Sequence, residues 1–269
     1  MTLLFTSLFS SGAMAASPLP PEPPFVWTTN LLYRFSASDG VQSDDVGTPA
    51  SDGDPVARWL NLGSAEDAVQ TTSARRPVYR TGGLNGRAYI ACDRALEQYF
   101  EDLAFSQPSG FSNFNPFTVF VVTDAIGELD QFPAILGSPA SNGGKMGFYF
   151  RDPEGGQIHW IKSQIRVGNV ASPQLIMAAA GRNADGTTSS GHVRYWVRQN
   201  RAGLWEAASQ SSNLVSTAIA STQFLRSTGL STGGLFHGRL YEFLFYEGTL
   251  DDAATFAIED WLMARYAIA

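Results

Sequence analysis

From residue 31 onward, short apolar stretches alternate with clusters of Gly, Pro, Asp and Ser. Two-residue alternation bounded by such punctuation predicts strands joined by turns. The stretches Leu31–Phe35, Val56–Leu60, Arg87–Ala91, Phe117–Thr123, Met146–Phe150, Ile158–Ile161, Leu175–Ala180, His192–Arg198 and Leu240–Tyr246 are read as strands. Phe117–Thr123 is apolar on both faces, the pattern of a strand covered on both sides. His192–Arg198 alternates: Val193, Tyr195 and Val197 are expected to face the core, leaving His192, Arg194, Trp196 and Arg198 outside. One helix is expected at the C-terminal end. Thr249 can cap it with Asp252 three residues on, and Ala254, Ala257, Ile258, Trp261 and Leu262 form a stripe at helical spacing. Such a helix would close over one side or end of a sandwich.

The segment before residue 27 has a different character. Leu3, Leu4, Phe5, Leu8 and Phe9 make an apolar run without a basic residue before Arg34, so the charged start of a secretory signal is missing. Residues 1–26 are therefore read as an apolar anchor arm, with a signal peptide as the alternative. Pro18 to Pro24 is a stiff polyproline spacer rising roughly 3 Å per residue. The folded domain is expected from residue 27 to Ala269, with no internal repeat.

Composition narrows the function classes. A net charge of −7 with no Lys/Arg block argues against nucleic acid and against an anionic membrane surface. With the single Cys92, no intrachain disulfide can form, so 269 residues with 44% apolar content must stand on their core. No apolar run is long enough to span a bilayer.

Several pieces at both ends carry a likeness. Val56-Ala57-Arg58-Trp59, Asn61, Gly63, Ala68 to Gln70, Arg76-Pro77 and Gly83-Leu84-Asn85-Gly86 come first. Phe236-His237-Gly238-Arg239-Leu240-Tyr241-Glu242, Tyr246, Leu250, and Ile258-Glu259-Asp260-Trp261-Leu262 to Arg265-Tyr266 close the chain. In this order they resemble laminin G-like, concanavalin A-like domains of bacterial and phage proteins. The resemblance implies an all-β jelly-roll sandwich of two antiparallel sheets that binds glycans or serves in adhesion and display. The family often carries Phe-Asp-Gly after the second of these pieces. Here the corner reads Cys92-Asp93-Arg94, and losing the glycine weakens any metal or ligand role inferred for it.

Catalytic patterns are sparse. Laminarinase-type relatives of the same fold use a Glu-x-Asp-x-Glu strand that sets two carboxylates on one face. The nearest approach is Glu128-Leu129-Asp130, followed by Phe132 in place of the second glutamate, which reads as a polar turn. Gly229-Leu230-Ser231-Thr232-Gly233 lacks the strand–helix setting of a nucleophile elbow. His159, His192 and His237 have no metal-ligand spacing, and Gly82 to Gly86 lacks the setting of a phosphate cradle. No cofactor is required. The loop 36–54, with Asp39, Asp44, Asp45, Asp52 and Asp54, could gather oxygens for calcium, Asp52 and Asp54 being the candidates.

For a sugar, the candidates are Trp196 between Arg194 and Arg198, with His192 and with Trp160 beside His159. Trp205 near Arg201 is a further possibility. Packing under a loop, the helix or another subunit is the competing fate of an outward tryptophan.

These readings lead to a non-enzymatic binding protein, a phage virion surface component held through residues 1–24 to other assembly proteins in multiple copies, and touching glycans. A secreted bacterial lectin-like module is the alternative. A glycoside hydrolase or lyase of the same fold is the second alternative.

Overall fold

The computed structural model describes residues 30–104, 117–127, 133–137, 148–151, 157–160, 163–166, 174–181, 192–210, 221–228, 234–248 and 250–269. The expected anchor residues Leu3, Leu4, Phe5, Leu8 and Phe9 lie outside them, as do Glu128, Asp130 and Gly229 to Gly233.

The strands run β1 (Leu31–Ser36), β2 (Val41–Gln42), β3 (Arg58–Trp59), β4 (Ala68–Val69), β5 (Val78–Arg80) and β6 (Tyr89–Cys92). Then come β7 (Phe100–Ala104), β8 (Phe117–Asp124), β9 (Ala134–Gly137), β10 (Phe148–Arg151), β11 (Gln157–Trp160) and β12 (Ser163–Arg166). Finally β13 (Gln174–Gly181), β14 (His192–Gln199), β15 (Ala202–Gln210), β16 (Ser221–Phe224) and β17 (Gly238–Glu247) precede helix α1 (Asp252–Tyr266).

They form an eight-stranded sheet, ordered β15-β14-β13-β8-β17-β6-β5 with β1 also on β17, and a six-stranded sheet, β12-β11-β10-β9-β16-β7. A small sheet, β2-β3-β4, accompanies them. The pairings are antiparallel throughout. The protein is an all-β sandwich with one C-terminal helix.

Three layers follow from the side-chain alternation. Phe117, Val119 and Val121 of β8, with Phe243 and Phe245 of β17, meet Phe100, Ile135, Leu136, Phe148 and Phe224 between the two large sheets. On the opposite face of the same strands, Phe120, Val122, Leu244 and Tyr246 meet Ile258, Trp261, Leu262 and Tyr266 of α1. Every residue of β8 is buried, as its two-sided apolar pattern predicts. In β17 the register shifts between Leu240 and Glu242, so Leu240 faces the sandwich core while Tyr241 and Leu244 face the helix.

The helix is capped by Asp251, whose side chain accepts from the Ala254 N–H at 2.7 Å, and not by the expected Thr249. The stripe at Ile258, Trp261 and Leu262 is buried as read, but Glu259 and Arg265 are buried with it. Val56–Leu60 yields only the two-residue β3, although Val56, Ala57 and Trp59 are all buried. Close approach of chain segments is built in at Gly137, where a Cβ would stand 2.1 Å from the Arg226 carbonyl oxygen.

Candidate functional site

Three connections cross from one large sheet to the other at the same end of the sandwich: 93–99 from β6 to β7, 125–133 from β8 to β9, and 225–237 from β16 to β17. The described parts of these connections are tied together. The Arg94 N–H donates to His237 Nδ1 at 3.4 Å and the Gly127 N–H to the His237 carbonyl at 3.0 Å. Phe236 N–H donates to Leu225 O at 3.0 Å. Gly127 has no room for a side chain, because a Cβ there would sit 2.8 Å from His237 Cδ2.

Beside this end lies a cleft of about 430 Å³, bordered by Arg80, Asp93, Gln98, Ala125, His237 and Arg239. Its floor is the helix-side face of the β5-β6-β17 edge, since Val78 pairs with Ala91 and Ala91 with Arg239. Pairing of Gly238 with Cys92 brings the next residues, His237 and Asp93, to the rim together. Their Nδ1 and Oδ1 atoms are 3.7 Å apart. Because Nδ1 accepts from the Arg94 N–H, the neutral ring carries its proton on Nε2. Asp93 also closes its own turn: Oδ1 accepts from Ala95 N–H at 2.9 Å, and its N–H donates to Gln98 Oε1 at 2.8 Å.

Asp124, at the end of β8, stands behind Arg239, with Oδ2 3.7 Å from Nη1. Burial raises the pKa of this carboxyl, against the opposing pull of Arg239. A side-chain hydrogen bond with Tyr241 adds to that opposing pull, and burial prevails. Tyr241 next to it is pushed up to about 12 by burial and by the Asp124 charge. Arg239 lies over the Tyr89 ring at 5.1 Å, and Arg80 faces Asp52 at 3.8 Å. The cleft thus offers guanidinium donors, each beside a carboxylate, with one solvent-facing acid, Asp93, at the rim, while the shielded Asp124 lies behind Arg239 and does not itself line the cleft. Burial also pushes up the Cys92 thiol, which makes it a poor nucleophile.

The residues expected from sequence to bind ligand are not brought together here. Arg198 lies under α1 and not on an open face: Nε donates to Glu259 Oε1 at 2.8 Å and the guanidinium stacks on Phe256 at 4.6 Å. Its side chain is 12% exposed. Burial raises the pKa of Glu259 despite this partner. Arg198→Ala should therefore cost about 1.5–3 kcal/mol of stability, the range for a hydrogen bond to a charged group. Urea denaturation checks it, and a variant as stable as the parent would contradict the contact. The backbones of His192, Arg194 and Trp196 lie in β14 and that of Trp160 in β11, but their side chains, like that of Trp205 in β15, lie outside the described residues.

The aspartates of the 36–54 loop are directed to separate partners. Asp52 Oδ1 accepts from Thr81 N–H at 2.8 Å and Asp54 Oδ2 from Ser51 N–H at 2.8 Å. Asp39 faces Arg265, Asp45 faces Arg76, and Asp44 closes a turn on Val46, Gly47 and Thr48. Those turn hydrogen bonds, led by Thr48, lower the Asp44 pKa. Among the described residues no group of three or more His, Cys, Asp or Glu side chains is placed to hold a metal. No described helix is long and apolar enough to cross a membrane.

The sequence showed only that His237 lacks metal-ligand spacing, and it weakened any ligand role for the Asp93 corner. The signal that both sit at strand ends was present, but their meeting depends on register.

No protein-family model matches the chain, and no curated protein matches it in sequence. Among solved structures it superposes on an arabinofuranosidase complexed with arabinofuranosyl-α-1,2-xylobiose, with a TM-score of 0.52 and 9% identity. A mutant family 54 α-L-arabinofuranosidase soaked with 4-nitrophenyl α-L-arabinofuranoside gives 0.54 and 10%. In both cases 90% of this chain is covered and it spans 60% of the other. A Trypanosoma rangeli sialidase aligns at 0.40 and 14% identity, over 89% of this chain and 33% of its own, too low to carry weight.

At these identities the likeness establishes the fold. The expectation of a protein without enzymatic activity is corrected to this extent: the two structures on which the chain superposes above 0.5 are arabinofuranosidases, so the fold gives no ground for excluding an enzyme. It gives a capsid or tail role no support.

Proposed function

We propose that the chain acts on glycosides as a hydrolase, and that the cleft between Asp93, His237, Arg239 and Arg80 receives the glycosidic bond. The observation that carries this reading is the pair of acids in unlike surroundings. Glycosidases divide their work between a protonated acid and an ionised carboxylate flanking the bond, and unlike environments assign the two roles. Asp124, shielded and raised in pKa one side chain behind the cleft, is assigned the role of proton donor, which requires Arg239 to give it access to the leaving oxygen. Asp93, facing solvent beside His237, is the carboxylate that acts on the sugar carbon or on the attacking water. Arg239 and Arg80 donate hydrogen bonds to sugar hydroxyls. The laminin G-like resemblance of both chain ends belongs to the same reading, as a glycan-directed sandwich.

The test is turnover of 4-nitrophenyl α-L-arabinofuranoside, then of a wider panel of aryl glycosides and polysaccharides. Asp124→Asn and Asp93→Asn are each expected to lower kcat by about 10²–10⁴-fold, the usual worth of a general acid or base. Circular dichroism of the variants should be unchanged. If nothing in the panel is cleaved, or both variants cleave as well as the parent, the reading fails.

A further inference from the structure

A smaller cavity of about 210 Å³ lies among Arg75, Glu97, Tyr99, Arg226, Thr228 and Leu235. It is not independent of the cleft. The connection 93–99 lines the cleft with Asp93, Leu96 and Gln98 and the cavity with Glu97 and Tyr99. The connection 225–237 does the same, with His237 in the cleft and Arg226 and Leu235 in the cavity. The two cavities therefore flank one ridge made by two bonded segments. Leu96 and Glu97 are consecutive, so their Cα atoms are about 3.8 Å apart. Leu96 is 56% exposed, an apolar side chain left open to solvent on this ridge.

The charges at the two cavities decide what kind of ligand fits. Arg75 is opposed by Glu97 at 3.2 Å, Arg80 by Asp52 at 3.8 Å, Arg239 by Asp124 at 3.7 Å and His237 by Asp93 at 3.7 Å. A site built for a sulfate or a uronate carboxylate would leave cationic charge uncompensated, as bidentate arginine recognition of anions requires. Here donors and acceptors stand side by side, which suits hydroxyl groups, each both donor and acceptor. In the small cavity Arg75 Nη1 donates to the Tyr99 hydroxyl at 2.8 Å, and Arg226 stacks on the Tyr99 ring at 4.0 Å, a flat apolar and hydroxyl-bearing surface of the kind a sugar ring meets.

We infer that the substrate is an uncharged oligosaccharide long enough to cross the ridge, with the small cavity as a distal subsite and Leu96 under the intervening sugar. This rests on the hydrolase reading and specifies its substrate class.

The experiment uses the full chain on an array of neutral gluco-, xylo-, manno- and arabino-oligosaccharides and acidic oligogalacturonates, graded from disaccharide to octasaccharide. Binding is expected to strengthen with length on a neutral series and to stay weak on the acidic one. Arg75→Ala, and separately Leu96→Ser, should reduce the advantage of long over short chains about tenfold, one decade in affinity being 1.4 kcal/mol. Arg75 and Leu96 are both solvent-facing, so the two variants are not expected to unfold. Length dependence unchanged in both variants, or preference for the acidic series, overturns the inference. If short aryl glycosides are cleaved with no gain from chain length, this inference fails while the hydrolase reading stands. If no glycan is bound or cleaved, both fall.

Discussion

Arg265→Met is expected to lower folding stability by about 3–5 kcal/mol at neutral pH, the cost of removing one partner from a buried ion pair. Glu242 of β17 is fully buried and lies 3.7 Å from Arg265 Nε and 3.5 Å from Arg34 Nε. The Tyr266 hydroxyl donates to Glu242 Oε2 at 2.5 Å, and Arg265 Nη2 reaches Ser36 Oγ at 3.3 Å. Burial still wins: it raises the Glu242 pKa, with Arg265 the largest of the groups pulling it back down, followed by Arg34. Burial likewise holds the Tyr266 hydroxyl well above its usual range.

The sign of the pH dependence follows. An acid whose folded pKa lies above its unfolded value binds protons more readily when folded. The stability it contributes is thus fully present below the ordinary carboxylate range and is lost as pH rises through the folded pKa. Without Arg265 the folded pKa of Glu242 moves higher still. The deficit of the variant should therefore be largest near neutrality and shrink on acidification. Adding Glu242→Leu to Arg265→Met should restore much of the loss, since an apolar replacement removes the stranded charge. Urea denaturation of the parent and both variants at about pH 7 and in the acid range reads all three statements. A deficit that grows in acid would contradict the assignment.

Trp59→Ala is expected to cost a similar amount, about 3–5 kcal/mol, by opening a cavity that the two sheets cannot close. Trp59 is fully buried among Phe35 at 5.4 Å, Phe100 at 6.0 Å and Phe224 at 6.4 Å between ring centres. Its Nε1–H donates to the Ser36 carbonyl at 2.9 Å. That carbonyl also accepts from the Asp39 N–H at 3.0 Å, so losing the indole does not orphan it, and the penalty is chiefly one of volume. Trp59→Phe should then lose roughly half as much or less, because most of the volume remains. Equal losses for the two variants in guanidinium denaturation would shift the weight to the hydrogen bond.

The neutral pairing around the candidate site explains why it was hard to find in the sequence. Asp93 and His237 are 144 positions apart, and neither falls in a motif with catalytic spacing. They meet because Gly238 pairs with Cys92, a register that alternation alone does not specify. Asp124 follows the stretch read as the strand Phe117–Thr123, and nothing local marks it as shielded. The shielding comes from Arg239 and Tyr241 on the neighbouring strand. Conversely, Arg198 looked open because alternation puts it on the outer face of β14. That face is the one α1 covers, so the arginine is bound to Glu259 instead.

Local pattern by itself determined the all-β character, the two-sided burial of Phe117–Thr123, the closing strand and the terminal helix. Each rests on side-chain periodicity over several consecutive residues, a property of the chain before it folds. Strands of two residues, such as Arg58–Trp59 and Ala68–Val69, are too short to show a period and exist only because a partner supplies their hydrogen bonds. Tertiary structure alone decided which charges are buried, because Glu242, Glu259 and Arg265 would ordinarily be assigned to water. It also decided where a site could form: three sheet-to-sheet connections converge at one end, and the clefts lie between residues that only folding makes neighbours.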